Sequence, residues 1–371
     1  MKYFCSHPWK GLDIDPQGNY KPCCRYNKSV ATTFNEYINS EELLEIKKEF
    51  ITGNKPKGCE WCWQEENSGI VSKRQTDWTY IFDEQMPDLD KTEIVHLTFS
   101  FGSTCTLACV ICSSYASSRW VKEARNLDIV PIYKHNKSYR DPDFLDILNV
   151  ISKNIKRVEI TGGEPFLAGI KEHLAFLTQL KQVNPDIVLC YTTNGISMPT
   201  QEFLDIWQHF KKVEIRLSID GISTHYEYNR WPALWSEVTS NIKVYQNWQT
   251  EFKNIELKVI HVVSIFTIYY LPEFLRWSLK NNLGKPYLQI LSDPPMYDIR
   301  VLPKSIKDKI IDKLSKYNVQ SLLTHLTSID IDDKFNDALL MIQKLEQQRN
   351  NSFSETFPEF YQLIKDAGCQ I

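Results

Sequence analysis

The sequence predicts an α/β fold built around a parallel sheet, arranged as an open barrel or as a doubly wound sheet. Strand-like apolar runs alternate with helix-like stretches through the middle of the chain, which is typical of parallel strands joined by crossover helices. Polar or glycine-rich residues follow most of these runs, and both folds carry their sites at the carboxyl ends of the strands. The runs are residues 94–101, 157–161, 187–192, 213–218, 257–263 and 287–291.

Helix-like stretches fill the connections and the C-terminal part of the chain. Between the strands, the candidates are residues 142–154, 169–183, 201–211, 235–248 and 271–281. After residue 301 the pattern is helical, with candidates at residues 304–317, 332–349 and 354–367. Near the N-terminus, residues 40–50 are amphipathic and begin with Ser40, which is suited to cap a helix. We therefore expect a helix-covered sheet followed by a C-terminal helical extension.

Composition places the chain among ordinary globular proteins. With 371 residues, the chain is long enough for two domains and a substantial core. Its composition, 42% hydrophobic and 24% charged, is ordinary for a globular protein. The 43 basic and 46 acidic residues give a net charge of -3, which argues against a general nucleic-acid-binding surface. The N-terminus lacks the apolar segment of a signal peptide, and the uncharged stretch 94–118 is rich in Ser, Thr, Gly and Cys. We expect a cytoplasmic protein with no membrane partner.

Ten cysteines in such a chain indicate metal binding rather than disulfides, because cytosolic thiols are kept reduced. Three of them, Cys105, Cys109 and Cys112, have a C-x3-C-x2-C spacing directly after the first strand-like run. Three thiols leave one position of a four-ligand metal site open to water or to a substrate, which favours chemistry over scaffolding. Half a zinc site, or unrelated buried thiols, is the alternative.

A second cysteine group lies in the first 62 residues. Its members are Cys5, Cys23, Cys24, Cys59 and Cys62. Four thiolates suffice for a closed metal site, and the spacing alone leaves structural zinc and an iron–sulfur cluster equally open.

A Gly-Gly-Glu-Pro segment follows the second strand-like run. Gly162 and Gly163 allow a backbone to approach a ligand closely, and Glu164 can accept hydrogen bonds from a cationic group. The ligand would therefore carry an amine.

Together, the cysteine trio and this segment resemble the radical SAM (S-adenosylmethionine) superfamily over roughly residues 95–291. The resemblance implies a partial (β/α)6 TIM-like barrel. It also implies a 4Fe–4S cluster on Cys105, Cys109 and Cys112, whose fourth iron is chelated by S-adenosylmethionine. The residues that match S-adenosylmethionine contacts are Gly162, Gly163, Glu164, Asn194, Ser218, Asp220 and Arg230. One departure is Ile111, because the residue before the last cysteine is commonly aromatic in this superfamily.

The N-terminal cysteines resemble the auxiliary-cluster module called SPASM or, in its single-cluster form, twitch. The resemblance implies a second 4Fe–4S cluster on four cysteines, with Cys24 as an alternative to Cys23, as a substrate-facing thiol or as a buried thiol. The implied ligands are Cys5, Cys23, Cys59 and Cys62. This module usually follows the barrel, whereas here it precedes it. The implied domains are 1–76 for the module, 77–92 for a connector, 93–300 for the barrel and 301–371 for the helical extension.

The resemblance further implies an oxidoreductase or maturase-like enzyme that cleaves S-adenosylmethionine to a 5'-deoxyadenosyl radical. That radical would abstract hydrogen from a peptide or protein side chain or backbone carbon, and a reductant such as flavodoxin or ferredoxin would supply the electron. No further catalytic residue is assigned. A small metabolite, sugar or nucleoside is the alternative substrate. A non-catalytic zinc-binding interaction protein is the alternative of another class, and it predicts zinc and no iron.

Overall fold

The computed structural model describes residues 3–81, 88–131, 133, 151–328 and 331–371. Its centre is an eight-stranded sheet with the strand order β2-β1-β3-β4-β5-β6-β7-β8. The strands are β1 (Gly11–Ile14), β2 (Tyr20–Lys21), β3 (His96–Ser100), β4 (Arg157–Thr161), β5 (Val188–Thr193), β6 (Lys212–Ser218), β7 (Ile255–Val263) and β8 (Tyr287–Ile290). All neighbouring pairs are parallel except β1 with β2. The predicted α/β fold with a partial barrel is confirmed.

Helices cover the sheet and form the C-terminal part of the chain. They are α1 (His7–Lys10), α2 (Phe34–Ile38), α3 (Glu41–Ile51), α4 (Glu60–Asn67), α5 (Lys73–Ile81), α6 (Ser118–Asn126), α7 (Ile170–Val183), α8 (Gln201–Trp207), α9 (Thr224–Asn229), α10 (Trp235–Glu251), α11 (Leu271–Lys280), α12 (Lys304–Leu314), α13 (Gln320–Leu326), α14 (Phe335–Arg349), α15 (Phe353–Thr356) and α16 (Pro358–Asp366). Most of the helix predicted over residues 142–154 lies outside the described residues. Ser40 caps α3 as predicted, since its side chain accepts a hydrogen bond from the Leu43 backbone NH.

The two faces of the sheet differ in polarity, because successive side chains of a strand point to opposite faces. Leu97, Phe99 and Ile160 belong to the large apolar core, which also includes side chains of α7 such as Phe176. The opposite face carries charged pairs, including Arg157 with Glu159 at 3.0 Å. The predicted strands differ from the observed ones by no more than two residues at either end, because this alternation of polarity is legible in the sequence.

The first two strands were not predicted. Gly11–Ile14 pairs in register with the start of β3, so that Leu12 lies opposite Leu97 and Asp13 lies opposite Thr98. These strands are only four and two residues long, and Asp13 interrupts their apolar pattern. The N-terminal segment therefore extends the barrel sheet directly instead of depending on bound ligands alone. Among the helices of the described part of the chain, none is long and apolar enough to span a bilayer.

Candidate active site

Three free thiols lie on the loop that follows β3, here called the cysteine loop (residues 105–112). Cys105, Cys109 and Cys112 are each partly buried. Burial, together with the neighbouring Cys109 thiol, raises the pKa of Cys105 to about 12. Burial likewise raises the pKa of Cys112, with the other two thiols adding to the effect. Such thiols stay protonated at neutral pH, so a metal centre that binds them must release their protons.

The segment after β4, here called the glycine turn (residues 162–164), is hydrogen-bonded to the chain on either side of Ser103. The Gly163 NH donates to the Gly102 carbonyl at 3.0 Å, and the Glu164 NH donates to the Thr104 carbonyl at 2.7 Å. A Cβ atom at Gly163 would lie 2.2 Å from the Thr104 carbonyl oxygen. Glycine is therefore needed here because the two loops approach so closely. The glycine turn fixes the start of the cysteine loop.

Glu164 is nearly fully buried, and its carboxylate joins the glycine turn to the end of β5. It accepts hydrogen bonds from the Thr193 hydroxyl at 2.8 Å, the Asn194 NH at 2.8 Å and the Phe166 NH at 3.3 Å. Burial raises the pKa of Glu164 to about 7, and these donors oppose the shift. The carboxyl group is oriented by three donors from two neighbouring strand ends.

Asn194 reaches from the end of β5 towards the first cysteine. Its Nδ2 lies 3.9 Å from the Cys105 Sγ, and its Oδ1 accepts from the Ile196 NH at 2.8 Å. The amide is therefore oriented by its own loop, with its donor directed at sulfur. Three of the predicted site residues, Cys105, Glu164 and Asn194, thus form one connected group.

The predicted residues beyond β6 form a second group. Ser218 ends β6 and is buried, and Asp220 two residues later is almost fully buried. The Asp220 Oδ1 accepts from the Val262 NH at 2.7 Å, and Oδ2 lies 2.5 Å from Arg230 Nη2. Burial raises the pKa of Cys109, and the Arg230 guanidinium is the largest opposing influence. The buried cation of this pair therefore acts on the middle cysteine.

Four of the N-terminal cysteines, Cys5, Cys23, Cys59 and Cys62, converge on one cavity, here called the N-terminal cavity. Burial raises the pKa of all four thiols, to about 12 for Cys5. The other lining residues are His7, Arg25, Phe50, Lys73 and Arg74. Cys24 is exposed and is not among the lining residues.

A buried polar group between the N-terminal cavity and the sheet is organised by Lys73. Ligand atoms of His7, Asp77 and His96 lie within 4.8 Å of one another, which is a spacing that a metal ion could bridge. However, the Lys73 Nζ lies 2.7 Å from the Asp77 Oδ2 and 3.5 Å from the Glu159 Oε2. The ammonium group already supplies the cation that these carboxylates need.

Sequence reasoning missed two residues that contact the cysteine loop or its flank. The Tyr115 hydroxyl donates to the Asp15 Oδ2 at 2.7 Å and thereby ties the β1–β2 hairpin to the segment after Cys112. The Arg349 Nη2, at the end of α14, donates to the Ala108 carbonyl at 2.7 Å. These contacts span 100 and 241 residues, so no local sequence signal indicates them.

One protein family, described as "Radical SAM superfamily", has a sequence model that matches residues 99–247. Comparison with curated protein sequences gives no match. A structure of anSMEcpe with bound AdoMet is 18% identical over 62% of each chain, with a TM-score of 0.46. anSMEcpe with AdoMet and the Kp18Cys peptide is 19% identical over 54% of this chain and 52% of that chain, with a TM-score of 0.41. Streptococcus suis SuiB bound to precursor peptide SuiA is 14% identical over 71% of this chain and 60% of that chain, with a TM-score of 0.42. The chain thus spans little more than half of these structures' own lengths.

The matched range begins within β3 and extends into α10, so it contains both groups of site residues described above. This superfamily implies a 4Fe–4S cluster and S-adenosylmethionine as cofactors. Residues 99–247 therefore match the sequence model of this superfamily, and the match indicates an enzyme.

Proposed function

We propose that this enzyme cleaves S-adenosylmethionine reductively and oxidises a peptide or protein substrate. The observation that carries the proposal is the interlocking of the cysteine loop with the glycine turn, which brings a three-thiol metal site beside an oriented carboxylate. The substrate class is the one that the SPASM and twitch resemblance implies, and peptides are also bound in two of the similar structures named above.

The residues of the central site fit the cofactors of this chemistry. In this proposal Cys105, Cys109 and Cys112 hold three irons of a 4Fe–4S cluster, and the fourth iron takes S-adenosylmethionine. When bound, this pair supplies a one-electron cleavage that yields a 5'-deoxyadenosyl radical able to abstract a substrate hydrogen. The protein holds the reacting carbon in place and excludes water and oxygen.

Glu164 has the lone pairs needed to bind the methionine amine. A carboxylate can accept about four hydrogen bonds, and three of those on Glu164 are taken by the donors from residues 166, 193 and 194. One acceptor position is left for an ammonium group, which would stabilise the ionised carboxylate. We place Gly162 and Gly163 along the same amine, and Ser218 and Asp220 towards the ribose. Asn194 and Arg230 complete the proposed contacts.

We propose a second 4Fe–4S cluster in the N-terminal cavity, on Cys5, Cys23, Cys59 and Cys62. Supporting this assignment, the four thiols surround a common space that also has Arg25, Lys73 and Arg74 in its wall. A four-thiolate centre is anionic, and nearby cations reduce the cost of burying that charge. A fully ligated cluster suits the role of accepting the electron that remains on the substrate radical. The segment 1–76 would then act as a SPASM-like or twitch-like module.

The test is anaerobic reconstitution with iron and sulfide, reduction with dithionite, and quantification of 5'-deoxyadenosine. We expect about eight irons per chain, a brown protein and formation of 5'-deoxyadenosine. Zinc without iron, in a colourless protein, would instead establish the zinc-binding alternative. Well-reconstituted protein that yields no 5'-deoxyadenosine with any substrate class would refute the proposed reaction.

Substrate class is decided by a separate assay. Reconstituted enzyme is incubated with candidate peptides, taken from short open reading frames beside its gene, and with sugars and nucleosides. We expect a peptide product that has lost two hydrogen atoms in the mass spectrum. Turnover confined to a sugar or nucleoside would overturn the peptide assignment and leave the radical chemistry intact.

A further inference from the structure

The backbone on both sides of Cys109 is fixed by contacts from outside the cysteine loop. The Ala108 NH donates to the Trp231 carbonyl at 2.7 Å, and the Val110 NH donates to the Asn229 carbonyl at 2.9 Å. These two bonds anchor the loop to the segment after α9. In both bonds the loop supplies the NH donor. Its carbonyl groups accept hydrogen bonds from other parts of the chain.

Two buried side chains, one from α6 and one from α14, donate hydrogen bonds to carbonyl groups of the loop. The Arg349 Nη2 donates to the Ala108 carbonyl at 2.7 Å, and the Trp120 Nε1 donates to the Cys109 carbonyl at 2.8 Å. The Arg349 guanidinium lies 5.2 Å from the centre of the Trp120 ring, a cation–π distance. One cation–π pair therefore carries both donors.

Arg349 is fixed in turn by Glu123 of α6. Its Nε and Nη2 donate to the Glu123 Oε2 at 2.9 and 2.6 Å. The Arg349 side chain is 1% exposed and that of Glu123 is 10% exposed, so this ion pair is shielded from solvent. The remaining Arg349 Nη1 is buried and makes no hydrogen bond to any residue that the structure describes. Because arginine stays charged when buried, α14 places a permanent cation beside the peptide group that joins Ala108 to Cys109.

We infer that Arg349 is a positioning residue of the radical-generating site and that the C-terminal helices complete this site. This inference rests on the proposed function, because the position it controls is that of the middle cluster ligand. Hydrogen bonds and charges around a cluster set its reduction potential and the geometry of its ligands. Arg349 contributes both, through its hydrogen bond to the Ala108 carbonyl and through its positive charge.

The inference is tested with Arg349→Gln and Arg349→Lys. A matched control is Arg300→Gln, which breaks another largely buried C-terminal ion pair, Arg300 Nη2 to Asp298 Oδ2 at 2.7 Å. Amide hydrogen exchange is measured first on protein without iron, so this readout does not depend on the cluster. In Arg349→Gln we expect exchange in residues 105–112 to rise about tenfold, the equivalent of one charge-assisted hydrogen bond.

Midpoint potentials of the reconstituted central cluster are then compared, with 5'-deoxyadenosine formation by the wild type as the check on the proposed function. We expect Arg349→Gln to lower the potential, because removing a cation disfavours adding an electron. Arg349→Lys retains the charge, so its potential should stay close to that of the wild type. Its exchange protection should be lower than that of the wild type, because lysine does not reproduce the hydrogen bonds of the guanidinium group. If Arg349→Gln does not fold, the Arg349→Lys comparison carries the test on exchange alone. If Arg349→Gln and Arg300→Gln show the same exchange in residues 105–112 and the same potential, Arg349 is only a structural residue and the inference is wrong. That outcome would leave the proposed function intact as long as the wild type cleaves S-adenosylmethionine.

Discussion

The two cysteine sites of this protein are built in opposite ways. Cys105, Cys109 and Cys112 lie on one short loop, and distant elements hold that loop from several sides. Cys5, Cys23, Cys59 and Cys62 come from three separate segments that converge on one cavity. A loop that supplies three ligands by itself leaves room for a substrate-like fourth ligand. In the proposed second cluster, four ligands from three segments would form a closed site, in which metal binding and local folding support each other.

The cations around both sites are paired with carboxylates. At the central site the nearby cations are each paired with one buried carboxylate, Arg230 with Asp220 and Arg349 with Glu123. Around the N-terminal cavity, Arg25 and Arg74 pair with Glu65 and Glu66 of α4. Lys73 bridges Asp77 and Glu159. The N-terminal cavity has three cations in its wall, whereas the central site has the two arginines named above.

The largest expected effect is loss of the open site. Cys105→Ala should abolish 5'-deoxyadenosine formation and remove about four irons per chain, because two thiolates cannot hold a cubane cluster. Iron analysis and product quantification check this expectation. Cys190→Ala is the control, since Cys190 is a buried thiol of β5 outside both sites and should leave iron and activity in place. Retained cleavage in Cys105→Ala would contradict the assignment of the cysteine loop.

Loss of the closed site should separate cleavage from substrate oxidation. We expect Cys59→Ala to lose about four irons, to keep forming 5'-deoxyadenosine and to stop forming oxidised product. Cys24→Ala is the matched control, because Cys24 is exposed and does not line the N-terminal cavity. If Cys24→Ala instead loses the iron, Cys24 replaces Cys23 as a ligand.

A crowded glycine links the central site to its neighbouring strand. In Gly163→Ala, the new Cβ would meet the backbone of Ser103 and Thr104 at 2.2 to 2.7 Å, so the start of the cysteine loop must shift. We expect a cost of about 1–3 kcal/mol in stability, together with weaker S-adenosylmethionine binding, measured by calorimetry. Gly284→Ala provides the control, because its φ of +70° strains the backbone while no atom of the described residues lies within 4 Å of the added Cβ. Unchanged S-adenosylmethionine affinity in Gly163→Ala would show that the contact does not position the site.

The sequence signals that predict the central site are local. The spacing of Cys105, Cys109 and Cys112 and the Gly-Gly-Glu sequence lie within single loops, and the strand before each loop has an apolar face that the sequence displays. Glu164 and Asn194 could be placed on one rim because parallel strands end at the same edge. The sequence could not show that Glu164 is held by the next strand end, because this depends on side-chain orientation.

What sequence could not predict depends on contacts between remote segments. Arg349 ends an ordinary amphipathic helix, and only the fold brings it to Ala108. The strands β1 and β2 are too short to show a period, and they form because the edge of β3 offers backbone partners for Gly11–Ile14. The role of Asp15 could not be predicted either, because it depends on a hydrogen bond from the remote Tyr115 as well as on the turn that Asp15 organises.

A smaller effect concerns the pH dependence of stability that comes from His173, a residue of α7. His173 is fully buried, its ring nitrogens contact the Pro165 carbonyl and the Tyr191 hydroxyl, and burial lowers its pKa to about 3. The unfolded chain binds a proton near pH 6.5 and the folded chain does not, so stability falls as pH drops from 6.5 towards 3. We expect a loss of about 1 kcal/mol between pH 7 and pH 5.5 from this residue. Denaturant unfolding at both pH values should show a smaller loss in His173→Gln, and an equal loss would contradict this assignment.

The smallest effect should come from the contact that joins the two cysteine sites. Tyr115 lies three residues after Cys112, and its hydroxyl donates to Asp15 in the turn of the β1–β2 hairpin, whose second strand runs towards Cys23. Tyr115→Phe removes this hydrogen bond and keeps the ring, so we expect a loss of only about 1 kcal/mol in unfolding free energy.

Tyr133→Phe is the matched control, because the Tyr133 ring packs edge-on against Tyr115 at 5.1 Å, and the described part of the chain shows no hydrogen bond from its side chain to the hairpin. If the hairpin couples the sites, Tyr115→Phe raises the ratio of 5'-deoxyadenosine to oxidised product, because the radical forms normally while the electron leaves the substrate less efficiently. Equal ratios in the two variants would mean that the N-terminal segment reaches the active site through the pairing of β1 with β3 alone.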